Sequence, residues 1–141
     1  MSNSRTIEQK SEPAARLQPR VLFVDDDTSL CEMLSLYFQH FGMKVTTTGR
    51  PWHAIELLNQ VSFDAVVLDL NLAGEDGLEV LRFAKGRFPF LPVIVFTGLD
   101  VDETLVKRCL ANRADGFMRK TAGLGTLLAE VRRHVPESIT T

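Results

Sequence analysis

Five short segments rich in apolar or β-branched residues alternate with stretches whose apolar residues recur at helical spacing. The segments are residues 21–24, 44–48, 65–69, 92–97 and 116–119. Uninterrupted apolar runs of this length are typical of strands buried on both faces. A helix is predicted after each one, the first capped by Asp27 or Thr28 and the second beginning at Pro51. This alternation predicts a parallel sheet with right-handed crossovers and helices on both faces.

The boundaries of the periodic pattern predict one folded domain, residues 20–135. Residues 1–19 are polar, contain two prolines and show no sustained apolar period, so a disordered leader is predicted. Residues 136–141 are predicted to be a frayed tail. Within the domain, the residues after Asp69 include Gly74 and Gly77 and are predicted to form a loop. Trp52, at the start of the second helix, is interpreted as a packing residue.

Composition and charge narrow the class of protein. The 141 residues are 45% hydrophobic and 24% charged, and the formal net charge is −2. This mildly acidic balance argues against a nucleic-acid-binding domain, which normally shows a basic face. The sequence shows no signal peptide and no apolar run of membrane-spanning length, so a cytoplasmic location and no membrane partner are predicted. Cys31 and Cys109 are predicted to be buried free thiols.

Polar side chains lie at the ends of four of the five predicted strands. In chain order they are Asp25 and Asp26, Asp69, Thr97, and Lys120. The C-terminal ends of parallel strands share one edge of the sheet, where ligands bind in open α/β folds. Clustered carboxylates repel one another unless a cation neutralises them, and Mg²⁺ suits one or two carboxylates and bridges to phosphate oxygens. A carboxylate beside such an ion can attack phosphorus to form an aspartyl phosphate.

Four segments of the sequence read VLFVDDD, VVLDLNLAGEDGLEVL, VIVFTG and ADGFMRK. In this order and at these separations they resemble the receiver domain of two-component response regulators. The resemblance covers nearly the whole chain after the predicted leader. It implies a flavodoxin-like (βα)5 fold, a doubly wound parallel sheet of order 2-1-3-4-5 in three α/β/α layers.

The resemblance also implies roles for individual residues. Asp69 would be the phosphoacceptor, and Thr97 and Lys120 would contact the phosphoryl group. Phe117, three residues before the lysine, would be an aromatic switch working with Thr97. The implied Mg²⁺ ligands are Asp25, Asp26 (more directly than Asp25), Asp69 and the backbone carbonyl of Asn71.

The function implied is a phosphorylation-dependent signalling switch rather than a turnover enzyme. A partner histidine kinase or phosphotransfer protein would supply the phosphoryl group, and the domain would catalyse its own phosphorylation and dephosphorylation. The signal would be a change in the face formed by the fourth helix, the fifth strand and the fifth helix, which is also a candidate homodimer interface. No nucleic acid binding by this domain is expected, and the sequence identifies neither the kinase nor the output partner.

Two departures from the family pattern leave alternatives open. Thr121 follows the lysine where the family usually has a cis proline, so we expect either a trans peptide with a repositioned loop or a strained bond. Ala73 stands where proline is usual after the acceptor, which should loosen that loop. The first departure gives some support to an alternative function, a receiver-like interaction module that works without phosphorylation. A haloacid-dehalogenase-like phosphatase is disfavoured because Asn71 and Ala73 replace residues that family needs.

Overall fold

The computed structural model of the chain describes residues 18–98 and 102–135. Of the predicted leader, only residues 18 and 19 are described, and the predicted tail at 136–141 lies outside the described residues. The predicted limits of the folded domain therefore stay predictions.

Five parallel strands form the central sheet. They are β1 (Arg20–Val24), β2 (Lys44–Thr48), β3 (Ala65–Leu68), β4 (Val93–Thr97) and β5 (Gly116–Arg119). Their order is β2-β1-β3-β4-β5, and every pairing is parallel. The predicted order 2-1-3-4-5 is confirmed. Because the order reverses between β1 and β3, the crevice beyond their carboxyl ends is the expected place for a ligand.

Five α-helices connect and follow the strands. They are α1 (Thr28–His40), α2 (Pro51–Gln60), α3 (Leu78–Arg87), α4 (Glu103–Ala111) and α5 (Leu124–His134). The predicted cap of α1 is confirmed, since the Asp27 carboxylate accepts a hydrogen bond from the Leu30 N–H at 3.1 Å. Among the helices of the described ranges, none has the length and apolar content needed to cross a membrane.

The sheet separates two apolar cores because successive strand residues point to opposite faces. Leu22 and Val24 face α2, α3 and α4, whereas Val21 and Phe23 face α1 and α5. All four of these strand residues are fully buried. The three-layer architecture is therefore confirmed.

The apolar periodicity of the helices predicts more buried residues than the structure has. Met33 on α1 and Leu110 on α4 continue the apolar periodicity, yet they are 54% and 63% exposed. The interpretation of Trp52 as a packing residue is wrong, because it is 61% exposed. The neighbouring Pro51 is the buried residue at that end of α2, and one step along a helix turns the next side chain about 100° away.

The segment predicted as a loop after β3 is a β-hairpin. Asn71–Leu72 pairs antiparallel with Glu75–Asp76, which leaves Ala73 and Gly74 as a two-residue turn. Their φ angles are +53° and +88°, so both lie in the left-handed region that a type I′ turn requires. Alanine permits this turn, whereas proline, with φ fixed near about −65°, is incompatible with it.

Candidate functional site

The strand ends bring four of the sequence-predicted side chains into direct contact. Lys120 follows β5, and its Nζ lies 2.8 Å from Asp25 Oδ2 and 2.9 Å from Asp69 Oδ2. The Thr97 hydroxyl, at the end of β4, donates to Asp69 Oδ1 at 2.9 Å. Asp25, Asp69 and Thr97 are buried, being at most 7% exposed. An acidic centre with one ammonium and one hydroxyl donor therefore lies at the carboxyl edge of the sheet.

Asp69 is fixed by its backbone as well as by its side chain. Its N–H donates to the Val24 carbonyl at 2.9 Å, which continues the β1–β3 ladder by one residue. Its Oδ1 also accepts the N–H of Asn71 at 3.3 Å. The carboxylate is thus held in one orientation at the end of a rigid strand, as a nucleophile that must meet an incoming group requires.

The three acids are close enough to share a divalent cation. One carboxylate oxygen from each of Asp25, Asp26 and Asp69 lies within 4.8 Å of the others. Two oxygens on opposite sides of one Mg²⁺ are about 4.2 Å apart, given bonds of about 2.1 Å. The spacing therefore fits a Mg²⁺ that takes some of these oxygens directly and the rest through its waters. Asp26, unlike the other two acids, is exposed to solvent, so a cation would approach the three carboxylates from its side.

The hairpin register shows how the Asn71 carbonyl is placed. Residues 71 and 76 are opposite each other, and the bond from the Gly77 N–H to the Leu70 carbonyl at 2.8 Å closes the next pair. Hydrogen-bonded and non-bonded pairs alternate in an antiparallel ladder, so the 71–76 pair is a non-bonded one. The Asn71 N–H and carbonyl then point out of the hairpin, and the N–H reaches Asp69. The carbonyl is left available on the carboxylate side.

Burial and ion pairing act against each other on the charges of the site. Burial raises the pKa of the Asp25 carboxyl above its usual value, although hydrogen bonds from Lys120 and the Asp27 N–H partly offset this. Burial alone would lower the pKa of Lys120, but its hydrogen bonds to Asp25 and Asp69 outweigh that effect and raise it. The lysine therefore stays an ammonium at neutral pH and is the counter-ion of the two buried acids.

Cys31 lies beside the acidic centre, and its buried thiol is unreactive. Its thiol donates to the Asp25 carbonyl at 3.3 Å, and burial together with the nearby acids raises its pKa to about 11. Cys31 and Cys109 are both buried and free, as predicted. A cleft of about 420 Å³ opens beside Asp25, Asp26 and Cys31, along α1 and the end of β2. It gives the acids access to solvent.

Two glycines, Gly49 and Gly77, allow the backbone to close around the acids; the sequence predicted a loop at Gly77 and gave Gly49 no role. A Cβ at Gly77 would collide with the Asp69 carbonyl oxygen, and a Cβ at Gly49 would lie 3.2 Å from the Asp26 Cα. The signal for Gly77 was present in the sequence, as an Asp-Gly pair at the end of the segment after β3. That a side chain at position 77 would collide with Asp69 can be seen only from the geometry of the hairpin.

The two remaining sequence expectations concern residues around β5. The described residues contain no cis peptide bond, so of the two alternatives at Thr121 the trans peptide is the one found. Residues Lys120–Ala122 form a single 3₁₀ turn that leads into α5. Phe117 is half-buried on β5 and packs against the core shared with α2, α3 and α4, rather than in the acidic centre.

Comparisons with known proteins agree with this fold. A family model for the response regulator receiver domain matches residues 21–132. Regulatory protein VirG of Agrobacterium tumefaciens (strain 15955) is 32% identical over 112 residues, covering 79% of this chain and 42% of VirG. Transcriptional activator protein PfeR of Pseudomonas aeruginosa is 33% identical over 109 residues, covering 77% of this chain and 35% of PfeR. The chain thus spans less than half the length of these curated relatives.

Solved structures show the same fold. The BeF3-activated N-terminal receiver domain of Klebsiella pneumoniae RstA is 29% identical with a TM-score of 0.76, over 84% of this chain and 99% of that one. Vibrio cholerae chemotaxis protein CheY4 is 25% identical with a TM-score of 0.77, over the same shares of the two chains. With the predicted motifs, the sheet order and the family match all in agreement, the chain belongs to the response regulator receiver domain family.

Proposed function

We propose that this chain is a phosphorylation-dependent signalling switch in which Asp69 accepts a phosphoryl group from a histidine kinase or phosphotransfer protein. The observation that carries the proposal is the geometry of the Asp69 carboxylate. One oxygen is held by the Thr97 hydroxyl and the Asn71 N–H, and the other lies 2.9 Å from the Lys120 ammonium. A carboxylate fixed between hydrogen-bond donors and a cation is positioned both to attack phosphorus and to stabilise the product's charge.

In the proposed reaction an Asp69 oxygen forms a bond to the phosphorus of a phosphohistidine as the phosphorus–nitrogen bond breaks. The bonding electrons leave with the histidine nitrogen. Lys120 and Thr97 contact the equatorial phosphoryl oxygens, where charge is concentrated during transfer. A Mg²⁺ held by Asp25, Asp26, Asp69 and the Asn71 carbonyl would neutralise part of that charge. Attack of water on the acyl phosphate returns free Asp69 and inorganic phosphate, so the domain resets itself without being a turnover enzyme.

The proposed signal begins at Thr97. Its hydroxyl, which now donates to Asp69, would turn to a phosphoryl oxygen, and the space it leaves would admit the Phe117 ring. β5 carries Phe117, so the face formed by α4, β5 and α5 would change shape and form the candidate homodimer interface. A shift from 1:99 to 99:1 between two such states needs about 5.5 kcal/mol of differential stabilisation. The downstream partner stays unassigned, and a cytoplasmic location is part of the proposal.

Incubation with acetyl phosphate and Mg²⁺, followed by intact-mass measurement, tests the proposal. We expect one phosphoryl group on the wild-type protein, none on Asp69→Asn, and normal labelling of the matched hairpin variant Asp76→Asn. A chelator should abolish the labelling. Undiminished labelling of Asp69→Asn would refute the assignment. If beryllofluoride with Mg²⁺ leaves the amide resonances of the wild type unchanged, the alternative of an interaction module that works without phosphorylation is favoured.

A further inference from the structure

A second cavity, of about 450 Å³, lies at the amino edge of the sheet, where the strands begin. Its walls come from the end of α2, the residues before β3 and the connection between α3 and β4, with His134 of α5 at the border. Asp64, which lines the cavity, precedes β3, and Asp69 follows it. At about 3.3 Å per strand residue these two acids are about 16 Å apart, so the cavity is separate from the acidic centre.

Most of the cavity wall is apolar. Phe63, Phe88 and Phe90 contribute aromatic rings, and Leu58 and Leu91 contribute aliphatic side chains. Phe90 is 95% exposed, the highest value of any large apolar residue in the described ranges. Cavities of about 300–1,000 Å³ with walls of this kind are the usual sites of small ligands in proteins. The wall therefore suits the apolar body of a small organic molecule.

A buried ion pair holds the connection between α3 and β4 that forms one side of the cavity. The Lys85 ammonium donates to the Leu91 carbonyl at 3.0 Å and to Asp115 Oδ2 at 2.8 Å. The same Asp115 oxygen accepts the Val93 N–H at 2.8 Å. These contacts fix the backbone on both sides of the cavity wall at Leu91. The cavity is therefore preformed, and a ligand can bind without first ordering this connection.

Arg87 supplies the free charge of the cavity. Its guanidinium lies 5.7 Å from the centroid of the Phe88 ring, and no carboxylate pairs with it in the part of the chain that the structure describes. The other ionisable groups of the wall are engaged. Asp64 Oδ2 accepts a backbone N–H at 2.7 Å, and His134 Nε2 lies 3.4 Å from a Glu130 oxygen, although too poorly aligned for a hydrogen bond. A guanidinium in this position can bind a carboxylate through two parallel hydrogen bonds.

We propose that this cavity binds a small amphipathic carboxylate, with an aryl or alkyl body between the phenylalanine rings and its carboxylate on Arg87. One unpaired cation beside an apolar wall selects an anion with an apolar body over neutral or wholly polar molecules. The site goes beyond the proposed function, because it needs neither Asp69 nor a metal ion. A ligand bound only to the folded domain stabilises it according to the ratio of ligand concentration to Kd.

The test is a titration of the unphosphorylated chain with 4-phenylbutanoate, followed by the backbone amide resonances. We expect a Kd below about 1 mM, with the shifts concentrated at residues 61–64 and 88–91. The neutral analogue 4-phenylbutanamide should bind about fivefold more weakly, because it cannot pair with the guanidinium. Arg87→Met should bind the acid and the amide equally. Arg82→Met, which removes an exposed arginine from the same helix, should keep the preference for the acid.

A second variant tests the cavity itself rather than its charge. Ser62 lines the cavity at a half-buried position, so Ser62→Phe should fill it with a ring and abolish the saturable shifts. Thermal unfolding of each variant confirms that it is folded. Undiminished binding by Ser62→Phe, equal binding of acid and amide by the wild type, or no saturation below about 10 mM would overturn the proposal and leave the proposed function intact. Self-association of the wild type that 4-phenylbutanoate reverses would assign the cavity to a second copy and would also overturn it.

Discussion

The hairpin turn at Ala73 makes a sharp prediction about stability. An L-residue in the left-handed region costs about 1–2 kcal/mol, and Ala73 has a φ of +53°. Asparagine tolerates this conformation and is preferred at the first position of a type I′ turn. Ala73 is exposed, so a larger side chain meets no packing constraint. Ala73→Asn should therefore stabilise the protein by about 1 kcal/mol, or raise the Tm by about 4 °C.

The family-typical residue should have the opposite effect at this position. Proline cannot adopt the observed φ, so Ala73→Pro must open the hairpin and should destabilise the fold by about 3 kcal/mol. Urea unfolding followed by circular dichroism measures both changes. Gly74→Ala is the control, because it adds a left-handed L-residue at φ +88° and should cost about 1 kcal/mol. An Ala73→Pro protein as stable as the wild type would refute the assigned turn.

Three further predictions concern packing and charge. Gly77→Ala should destabilise the fold by about 2 kcal/mol in urea unfolding, because the new methyl group presses on the backbone of Asp69. Lys85→Met should lower the free energy of unfolding by about 3 kcal/mol in the same assay. The Lys85 side chain is 5% exposed and its ammonium pairs with Asp115 at 2.8 Å, so the substitution leaves the Asp115 carboxylate without its counter-ion. Burial raises the pKa of the Asp25 carboxyl above 3.8, so ionisation of this acid lowers the free energy of unfolding of the metal-free protein. Asp25→Asn cannot ionise, so its free energy of unfolding relative to the wild type should be constant below about pH 3.8 and should increase as the pH rises through the folded pKa.

Each of these three predictions has a matched control variant. Gly86→Ala places a methyl group in open space within α3 and should stabilise the fold by about 0.5–1 kcal/mol. Lys107→Met removes only an exposed pair with Glu103 and should change stability by less than about 0.5 kcal/mol. Asp26→Asn removes an exposed acid, so it relieves no burial cost and should change stability by less than about 0.5 kcal/mol at neutral pH. Equal effects within any of these pairs would contradict the physical reason given.

Much of the fold and the membership of the site follow from the sequence. Buried parallel strands are apolar runs that end abruptly, so Asp25 and Asp69 are visible as the first polar residues after them, and Lys120 follows directly after the last strand. The i,i+4 spacing of Glu103 and Lys107 on α4 likewise indicates an ion pair from the sequence alone, and the pair is present at 2.9 Å. Such features depend on residues that are near in sequence or on a shared sheet edge.

What could not be predicted depends on exact distances between distant segments. The hairpin needs two successive residues in the left-handed conformation, and alanine rarely adopts it, so Ala73 gives no sequence signal for the turn. The exposure of Trp52 depends on the rotation of α2 about its axis, which buries Pro51, Ala54 and Leu58 and leaves Trp52 outside. The bridging of two acids by Lys120 depends on spacings of a few tenths of an ångström that no sequence pattern encodes.

The position of β5 at the end of the sheet has a consequence for how the site can fail. β5 pairs with β4 and is the last strand in the order, and Gly116, Phe117 and Met118 on it are only half-buried. Edge segments with few buried contacts open locally at a lower free energy than the whole domain unfolds. Fraying of this one strand would carry Lys120 away while leaving Asp25, Asp69 and Thr97 in place. Amide hydrogen exchange along β5 therefore reports how often the acidic centre exists without its ammonium.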